Sequence, residues 1–394
     1  MLKSDDKTAV KEIRTFLDEL CYGYLNYRLI PGNDTVIFPE FGQLQGILKG
    51  FSPLHRLIFS VFRQGHAAEE PVLKRVLGPS LFAAFVDVGL LVKDRHGDWR
   101  TPSVAIVPIE GLYLVASLPP YYRNALTTKQ PIYLGMESVW LTRVLPPSLS
   151  GQTVLDVCSG SGIQGLVALT RGARSVVALE RELTAVAVSR FNAVLNGFES
   201  AFDIRQSDLY SALSGSERFD LVLSNPPFMP VIGDVDYPIC GSGGVDGMDL
   251  LRPILSGLEP HMNDAAEAWI FCNALGSQYG INFNRDVLPS IVERDRLLAL
   301  AHVTDKASLE TYVKRTLLPN LRNTCPEIPD DLARAKAEAW KKEIQSKWSA
   351  DQVYGQVLRI RRAKEQGYVK DIPVYDATAT DPLIAIVSTA YNAA

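Results

Sequence analysis

The sequence contains few cysteines, few histidines and no long hydrophobic run. Its five cysteines are scattered without CxxC or CxxH spacing, which argues against a zinc site or a disulfide scaffold. The five histidines show no HxH or HxxxH spacing, so no metal is expected. No apolar run approaches the roughly 18 residues of a membrane span, and the first residues lack the apolar segment of a signal peptide. We therefore expect a cytoplasmic protein with reduced thiols and no membrane association.

An excess of positive charge is also missing. The chain has 40 Lys and Arg residues against 44 Asp and Glu, for a net charge of −4. This balance excludes a protein that is held on nucleic acid by bulk charge alone, although a local basic face stays possible. The hydrophobic content of 47% is enough for a substantial core, and 394 residues allow roughly two or three domains.

Residues 1–120 predict a helical N-terminal domain that ends in short strands. Asp5 or Asp6 is expected to cap a first helix, whose apolar residues recur at helical spacing. LHRLIFSVFRQ and PSLFAAFVDVG predict further helices, and GLLVKD, WRTPSVAIV and GLYLVAS predict strands joined by turns. Helices followed by a two-stranded wing are typical of a winged-helix-like domain. Two interpretations remain, a docking module for nucleic acid or protein and a structural cap over the next domain.

After a connector at 121–150, residues 151–394 alternate apolar strands with helices. This alternation predicts a doubly wound α/β domain with a mainly parallel, seven-stranded sheet. The predicted strands are TVLDVCS, SVVALE, AFDIRQSD, FDLVLSN, EAWIFCN, RLLALAHV (296–303) and PLIAIVSTAY (382–391). The charged stretch at about 307–368 is interpreted as a helical insertion before the last strand. It is either a solvated helical face or a lid or wall on the substrate side.

A glycine-rich turn follows the first of these strands. Gly160 and Gly162 allow tight backbone geometry and close approach of a ligand, and the next helix offers unpaired N–H groups. Glu180 ends the following strand, where an acid is expected to accept from two ribose hydroxyls. The glycines also satisfy G-x-G-x-x-G, so a dinucleotide oxidoreductase is an alternative. Asp156 would repel a pyrophosphate, however, and suits a ligand that carries an ammonium group.

The strand FDLVLSN ends in Asn225-Pro226-Pro227-Phe228. Two prolines fix the backbone and remove two N–H donors, so that the carbonyls of Asn225 and Pro226 are expected to face the ligand cleft. An –NH2 group could donate its two hydrogens to the Asn225 side-chain oxygen and to the Pro226 carbonyl, while Phe228 stacks on the planar group. Holding a delocalised nitrogen in this way exposes its lone pair to an electrophile, and positioning supplies much of the acceleration.

In this order, DVCSGSG, VVALE, QSDLY and NPPF resemble the class I S-adenosylmethionine-dependent methyltransferases, in the branch that methylates nitrogen through an N-P-P-[FY] motif. The resemblance implies S-adenosylmethionine as methyl donor, S-adenosylhomocysteine as product, and direct displacement at the sulfonium methyl. It assigns Asn225, Pro226, Pro227 and Phe228 to the acceptor nitrogen. It further places Asp156, Ser159, Gly160 and Gly162 around the methionine part of the donor, Glu180 at its ribose, Asp208 and Leu209 at its adenine, and Asn225 beside the transferred methyl group.

The segment GGVDGMDLLRPIL is similar to a part of the protein-glutamine N5-methyltransferases that act on release factors. A protein glutamine is therefore one expected acceptor. The motif of those glutamine methyltransferases usually ends in Tyr, whereas Phe228 resembles the motif of the guanine-N2 rRNA methyltransferases, so a nucleobase amine is a second expected acceptor. The insertion, which the resemblance does not cover, makes a small metabolite the third. The alternative that is not an enzyme is a regulator that only senses a ligand, although such a protein would not need a pocket that orients a nitrogen.

Overall fold

The computed structural model describes residues 2–24, 48–119, 132–233, 237, 240–325, 327–363 and 368–372. No helix in this described part is both long and apolar enough to cross a membrane. The strand predicted at 382–391 lies outside the described residues, as do residues 121–131 of the connector that was predicted at 121–150.

The N-terminal region consists of helices followed by two hairpins. Asp6 caps the first helix by accepting from the Ala9 amide at 3.0 Å, as the sequence predicted. Val10, Ile13 and Leu17 are buried on one face of this helix. The elements are α1 (Lys7–Glu19), α2 (Pro53–Phe62), α3 (Glu70–Asp87), β1 (Val92–Lys93), β2 (Trp99–Arg100), β3 (Val104–Ile109) and β4 (Leu112–Ser117). Pairing of β1 with β2 confirms a predicted hairpin, and β3 pairs with β4 in a second one.

Two asparagines, the buried Asn192 and the half-buried Asn196, join the N-terminal region to the rest of the chain. Asn192 accepts from the Val115 amide at 2.8 Å and donates to the Val115 carbonyl at 3.1 Å, and Asn196 pairs with Tyr113 in the same manner. These side chains satisfy the open edge of β4 as a neighbouring strand would. Apolar residues of both regions also form one continuous cluster. The contacts favour the interpretation of the N-terminal region as a structural cap.

The central sheet has the doubly wound arrangement. Its core strands are β5 (Thr153–Val157), β6 (Ser175–Glu180), β7 (Phe202–Gln206), β8 (Phe219–Ser224) and β9 (Met262–Ser277), which run parallel in the order β7-β6-β5-β8-β9. The chain starts in the middle at β5, moves outward to β7 and returns to β8. The strand order therefore reverses between β5 and β8, which is where open α/β sheets bind ligands.

The far side of the sheet differs from the prediction. Residues 352–362, placed in a helical insertion, form strand β12 (Gln352–Arg362), which pairs antiparallel with β9 and with β11 (Leu297–Ser308). The charged residues at its end suggested a helix, but a central strand buries six consecutive residues from Val353 to Leu358. With β10 (Gly280–Ile281) and β13 (Tyr368–Ile372), the described sheet has nine strands where seven were predicted.

Helices cover both faces of the sheet. They are α4 (Met136–Val144), α5 (Ile163–Thr170), α6 (Leu183–Leu195), α7 (Leu251–Ser256), α8 (Asn282–Asp286), α9 (Leu288–Arg294), α10 (Leu309–Tyr312), a π turn (Val313–Leu317), α11 (Leu318–Thr324) and α12 (Asp330–Trp348). The last four confirm the helical part of the predicted insertion. They have their own apolar cluster, in which Tyr312 and Trp340 pack with ring centroids 5.8 Å apart.

Candidate active site

A cavity of about 930 Å³ lies at the C-terminal ends of β5, β6 and β8, beside the reversal of strand order. Its volume falls in the range of roughly 300–1,000 Å³ that is usual for small-molecule sites. Most residues predicted for the site line it: Ser159, Gly160, Glu180, Asp208, Leu209, Asn225, Pro226, Pro227 and Phe228. The cavity wall does not include Asp156, which lies near the end of β5, or Gly162, which lies in the turn after β5.

The glycine turn after β5 has the backbone geometry that its sequence predicted. Gly160 and Gly162 have φ angles of +54° and +80°, and Cys158 between the strand and the glycines also has a positive φ of +60°. A Cβ at Gly162 would lie 2.5 Å from the Ser189 hydroxyl, so both the backbone and the available space require glycine there. Gly162 is the N-cap of α5, whose first N–H groups are thereby turned towards the cavity end of the strand.

Glu180 stabilises the turn from the neighbouring strand. One carboxylate oxygen accepts from the Gly160 amide and the other from the Glu182 amide, each at 2.9 Å. Burial raises the pKa of Glu180, while these backbone bonds oppose the rise. The carboxylate is thus fixed at the cavity wall with acceptor capacity left over, which is what a pair of ribose hydroxyls would require.

Asp156 lies in β5, outside the cavity wall. Its side chain is fully buried, and its Oδ2 accepts from the Gly165 amide at 3.1 Å, while no described group bonds its Oδ1. Burial raises the pKa of Asp156 to about 7. A Cβ at Gly165 would lie 2.7 Å from a Val176 methyl carbon, so the helix packs on the sheet at this point through glycine. The carboxylate therefore shapes the turn and does not form part of the cavity surface.

Asp208 and Leu209 lie in a tight turn after β7. Leu209 has a φ of +49°, an uncommon conformation for a branched residue. The Ser207 hydroxyl holds this turn, because it donates to the Leu209 carbonyl at 2.5 Å and accepts from the Ala212 amide at 3.0 Å. Asp208 is exposed at the rim of the cavity, and Leu209 presents an apolar side chain beside it. This pairing suits a planar base with an amino substituent.

The Asn-Pro-Pro-Phe motif provides the acceptors on the other side of the cavity. Ser224 anchors the end of β8 by donating to the Val157 carbonyl at 2.9 Å. The Asn225 amide nitrogen donates to the Ser138 hydroxyl at 3.0 Å, which fixes the orientation of the amide. The Asn225 side-chain oxygen is enclosed and has no hydrogen-bond partner among the described residues. A buried acceptor without a donor is costly, so the site is prepared for an incoming N–H group.

The glycine-rich segment at 241–249 supports Phe228 from behind. A Cβ at Gly243 would lie 2.7 Å from the Phe228 carbonyl carbon, and one at Gly247 would lie 2.7 Å from the Phe228 oxygen. Backbone bonds between Met229 and the segment hold the two chains together at 2.9 and 3.0 Å. The Phe228 ring packs edge-to-face on Phe271 with centroids 5.0 Å apart. This packing explains why the segment GGVDG accompanies the motif.

Sequence reasoning missed three polar residues in and just before the first turn of α4. Tyr133, Glu137 and Ser138 all line the cavity. Glu137 has an enclosed oxygen without a described hydrogen-bond partner, and burial raises its pKa. These residues fall in or beside the region that was interpreted as a connector. The available signal was the polar pair Glu-Ser at the start of an otherwise apolar helix.

The strands β9 and β11 and the helical segment after β11 form the remaining wall. Asn273, Lys306, Tyr312, Arg315 and Asn320 line the cavity from this side. The Tyr312 hydroxyl donates to the Pro230 carbonyl at 3.0 Å, which ties α10 to the loop that follows the NPPF motif. Of the two interpretations of the insertion, this arrangement favours a wall beside the substrate. Among the described residues no group of three or more His, Cys, Asp or Glu could hold a metal ion.

Comparison with known proteins supports the same chemistry. Residues 135–236 match the methyltransferase small domain family, and this region contains the glycine turn, Glu180, Asp208 and the NPPF motif. The chain therefore contains a methyltransferase domain, as the resemblance predicted.

The relatives include glutamine methyltransferases. The chain is 30% identical over 120 residues to a ribosomal protein uL3 glutamine methyltransferase of Bradyrhizobium diazoefficiens, covering 28% of this chain and 37% of the relative. It is 34% identical over 122 residues to a release factor glutamine methyltransferase of Xylella fastidiosa, covering 29% and 44%. The chain thus spans less than half the length of these two relatives. A solved methyltransferase structure from Agrobacterium tumefaciens matches with 13% identity and a TM-score of 0.38, covering 72% of this chain and 80% of that one, a likeness too low to bear on function.

Proposed function

We propose that the protein is an S-adenosylmethionine-dependent N-methyltransferase that acts on the side-chain amide of a protein glutamine. The observation that carries the proposal is the enclosed Asn225 oxygen, which has no described donor although the amide nitrogen of the same side chain is engaged by Ser138. A side chain fixed in this way presents an acceptor, and only an acceptor, to the cavity.

The donor side of the cavity fits S-adenosylmethionine. Glu180 would accept from the ribose hydroxyls, Asp208 from the adenine amino group, and the backbone of Ser159 and Gly160 would lie along the methionine part. When bound, this group supplies an electrophilic methyl on a sulfonium centre. Asp156 would contribute indirectly, because it fixes the helix start through the Gly165 amide.

The acceptor side fits a primary amide. Its two hydrogens would be received by the Asn225 side-chain oxygen and the Pro226 carbonyl, and Phe228 would pack on its plane. These contacts draw the nitrogen away from conjugation with its carbonyl and aim its lone pair across the cavity. Because a bound amide is held at the reacting distance, positioning supplies much of the rate.

A protein glutamine is favoured over other amides and amines by the relatives, which are named for glutamine in a ribosomal protein and in release factors. The GGVDG segment adds to this, since it packs on Phe228 and belongs to the same acceptor wall. With translation proteins as acceptors, we expect the enzyme to work in the cytoplasm.

A panel of acceptors tests the proposal. The full chain is incubated with methyl-tritiated S-adenosylmethionine and either a release factor, ribosomal protein uL3, a glutamine tripeptide or a guanosine-containing RNA. Acid hydrolysis of an N-methylated glutamine releases radioactive methylamine, whereas a methylated base does not. We expect volatile methylamine from a protein acceptor in the wild type and none with Asn225→Ala. Label that appears only in RNA, or equal turnover by Asn225→Ala, would contradict the proposal.

A further inference from the structure

A buried carboxylate shares the acceptor side of the cavity with Asn225. Glu137 lies in the first turn of α4, next to Ser138, whose hydroxyl accepts from the Asn225 amide nitrogen at 3.0 Å. Glu137 lines the cavity, and its Oε1 is enclosed without a hydrogen-bond partner among the described residues. Ser138, which orients the Asn225 amide, is therefore directly preceded, on the same helical turn, by a carboxylate with unused hydrogen-bonding capacity.

Gly135 creates the space for this carboxylate. A Cβ at position 135 would lie 2.3 Å from the Glu137 Oε1 and 2.3 Å from the Tyr133 hydroxyl. The φ angle of Gly135 is −119°, which any residue adopts, so the requirement for glycine is one of space. Tyr133 hydrogen-bonds the Glu137 side chain and is itself 40% exposed. The phenol thus connects the enclosed carboxylate with solvent.

The elements that pack against α4 bring few charged groups to Glu137, although Lys306 and Arg315 line the same cavity. The helix α4 packs against α5, which has no titratable side chain, and against β9. On β9, Cys272 is buried, Glu267 is paired with Arg359, and Asp264 lies near the start of the strand. Across the cavity, Cys240 is the titratable group that interacts with both Glu137 and Glu180. No described lysine or arginine forms an ion pair with Glu137, so burial dominates and raises its pKa.

We propose that Glu137 accepts the proton that the acceptor nitrogen loses on methylation. The inference rests on the proposed function, since it concerns the same nitrogen. Methyl transfer breaks the carbon–sulfur bond, whose electron pair stays on sulfur, and forms a carbon–nitrogen bond that leaves a cationic nitrogen with two hydrogens. One of these two hydrogens leaves its contact with the Asn225 or Pro226 oxygen and passes as a proton to the Glu137 carboxylate. The products are then a neutral N-methylamide and a protonated Glu137, which returns its proton to solvent past Tyr133.

Kinetics of Glu137→Gln test the role. Glutamine keeps the shape and one acceptor oxygen but cannot take a proton, so we expect kcat to fall by about 100-fold with the acceptor protein that the wild type methylates. In the wild type, kcat should rise with pH as Glu137 ionises, with a midpoint above the ordinary range for glutamate, and the variant should lack this rise. The affinity for S-adenosylhomocysteine, measured by calorimetry, should not change.

A second readout does not depend on turnover. In protein labelled with ¹³C at the glutamate carboxyl carbons, NMR titration should show a glutamate signal with a raised pKa that is missing in Glu137→Gln, while the raised signal of Glu180 remains. Glu199→Gln is the control, because Glu199 is a partly exposed carboxylate that pairs with Lys7 and does not line the cavity. It should leave kcat and its pH dependence unchanged.

The outcomes separate the two proposals. A wild type that methylates a protein glutamine, together with a Glu137→Gln variant that keeps the wild-type kcat and pH profile, overturns the role of Glu137 alone. A loss of S-adenosylhomocysteine affinity in Glu137→Gln as large as its loss of kcat would also overturn this role, since Glu137 would then be a donor-binding residue. No methylamine from any acceptor with the wild type contradicts the proposed function itself.

Discussion

Ser138→Ala is expected to reduce turnover without weakening the binding of the methyl donor. In the wild type the Ser138 hydroxyl, 2% exposed, accepts from the Asn225 amide nitrogen at 3.0 Å. Without this bond the Asn225 amide can rotate, and its oxygen no longer faces the acceptor in every molecule. One net hydrogen bond is worth about 0.5–1.5 kcal/mol, which corresponds to a fall in kcat of about 2- to 13-fold.

Steady-state kinetics with tritiated donor measure this effect, and calorimetry with S-adenosylhomocysteine shows that donor binding is intact. Thr142→Val on the same helix is the matched control, because the buried Thr142 hydroxyl donates within the helix to the Val139 carbonyl at 2.7 Å and does not touch the motif. Wild-type kcat in Ser138→Ala would refute the claim that this hydroxyl orients Asn225. An equal loss in Thr142→Val would show that only the stability of α4 matters.

Three further substitutions address the donor side and the fold. Glu180→Ala removes an acceptor for the ribose and the bond to the Gly160 amide, so S-adenosylhomocysteine should bind roughly 10- to 150-fold more weakly by calorimetry; unchanged affinity would contradict the assignment. Gly165→Ala places a Cβ 2.7 Å from Val176, and urea unfolding should show a loss of about 1–3 kcal/mol. Asp156 has a pKa raised to about 7 by burial, so the folded state binds its proton more tightly than the unfolded state. The wild type therefore loses up to about 4 kcal/mol of stability as pH rises from about 4 to 7. The unfolding temperature of Asp156→Asn, taken relative to that of the wild type at the same pH, should be higher at pH 8 than at pH 5. A difference between the two proteins that does not change with pH would contradict this account.

The parts of the site that follow strands were predictable because short-range rules determine them. A buried strand, then glycines, then a helix defines the donor turn, and two prolines after a strand define the acceptor edge. Ser138 and Glu137 were not predictable in this way. Their role depends on where α4 packs, and that packing is set by tertiary contacts with α5 and β9.

The strand β12 was missed for a similar reason. Its sequence, QVYGQVLRIRR, reads as an amphipathic segment, yet it pairs on both sides, and two of its arginines meet acids on β9 and on the turn before β9. Arg359 bonds Glu267 at 2.8 Å, and Arg362 bonds Glu259. Charged side chains at a strand end are compatible with a central strand only where such partners exist, and those partners lie about 90 to 100 residues away in the sequence.

The central claim is that the Asn225 and Pro226 oxygens hold an amino group opposite the transferred methyl group. A crystal structure with a donor analogue that carries an amine in place of the sulfonium methyl tests this directly. We predict that the amine lies at hydrogen-bond distance, about 2.7–3.2 Å, from the Asn225 side-chain oxygen or the Pro226 carbonyl. An amine that points away from residues 225–228 would contradict the account.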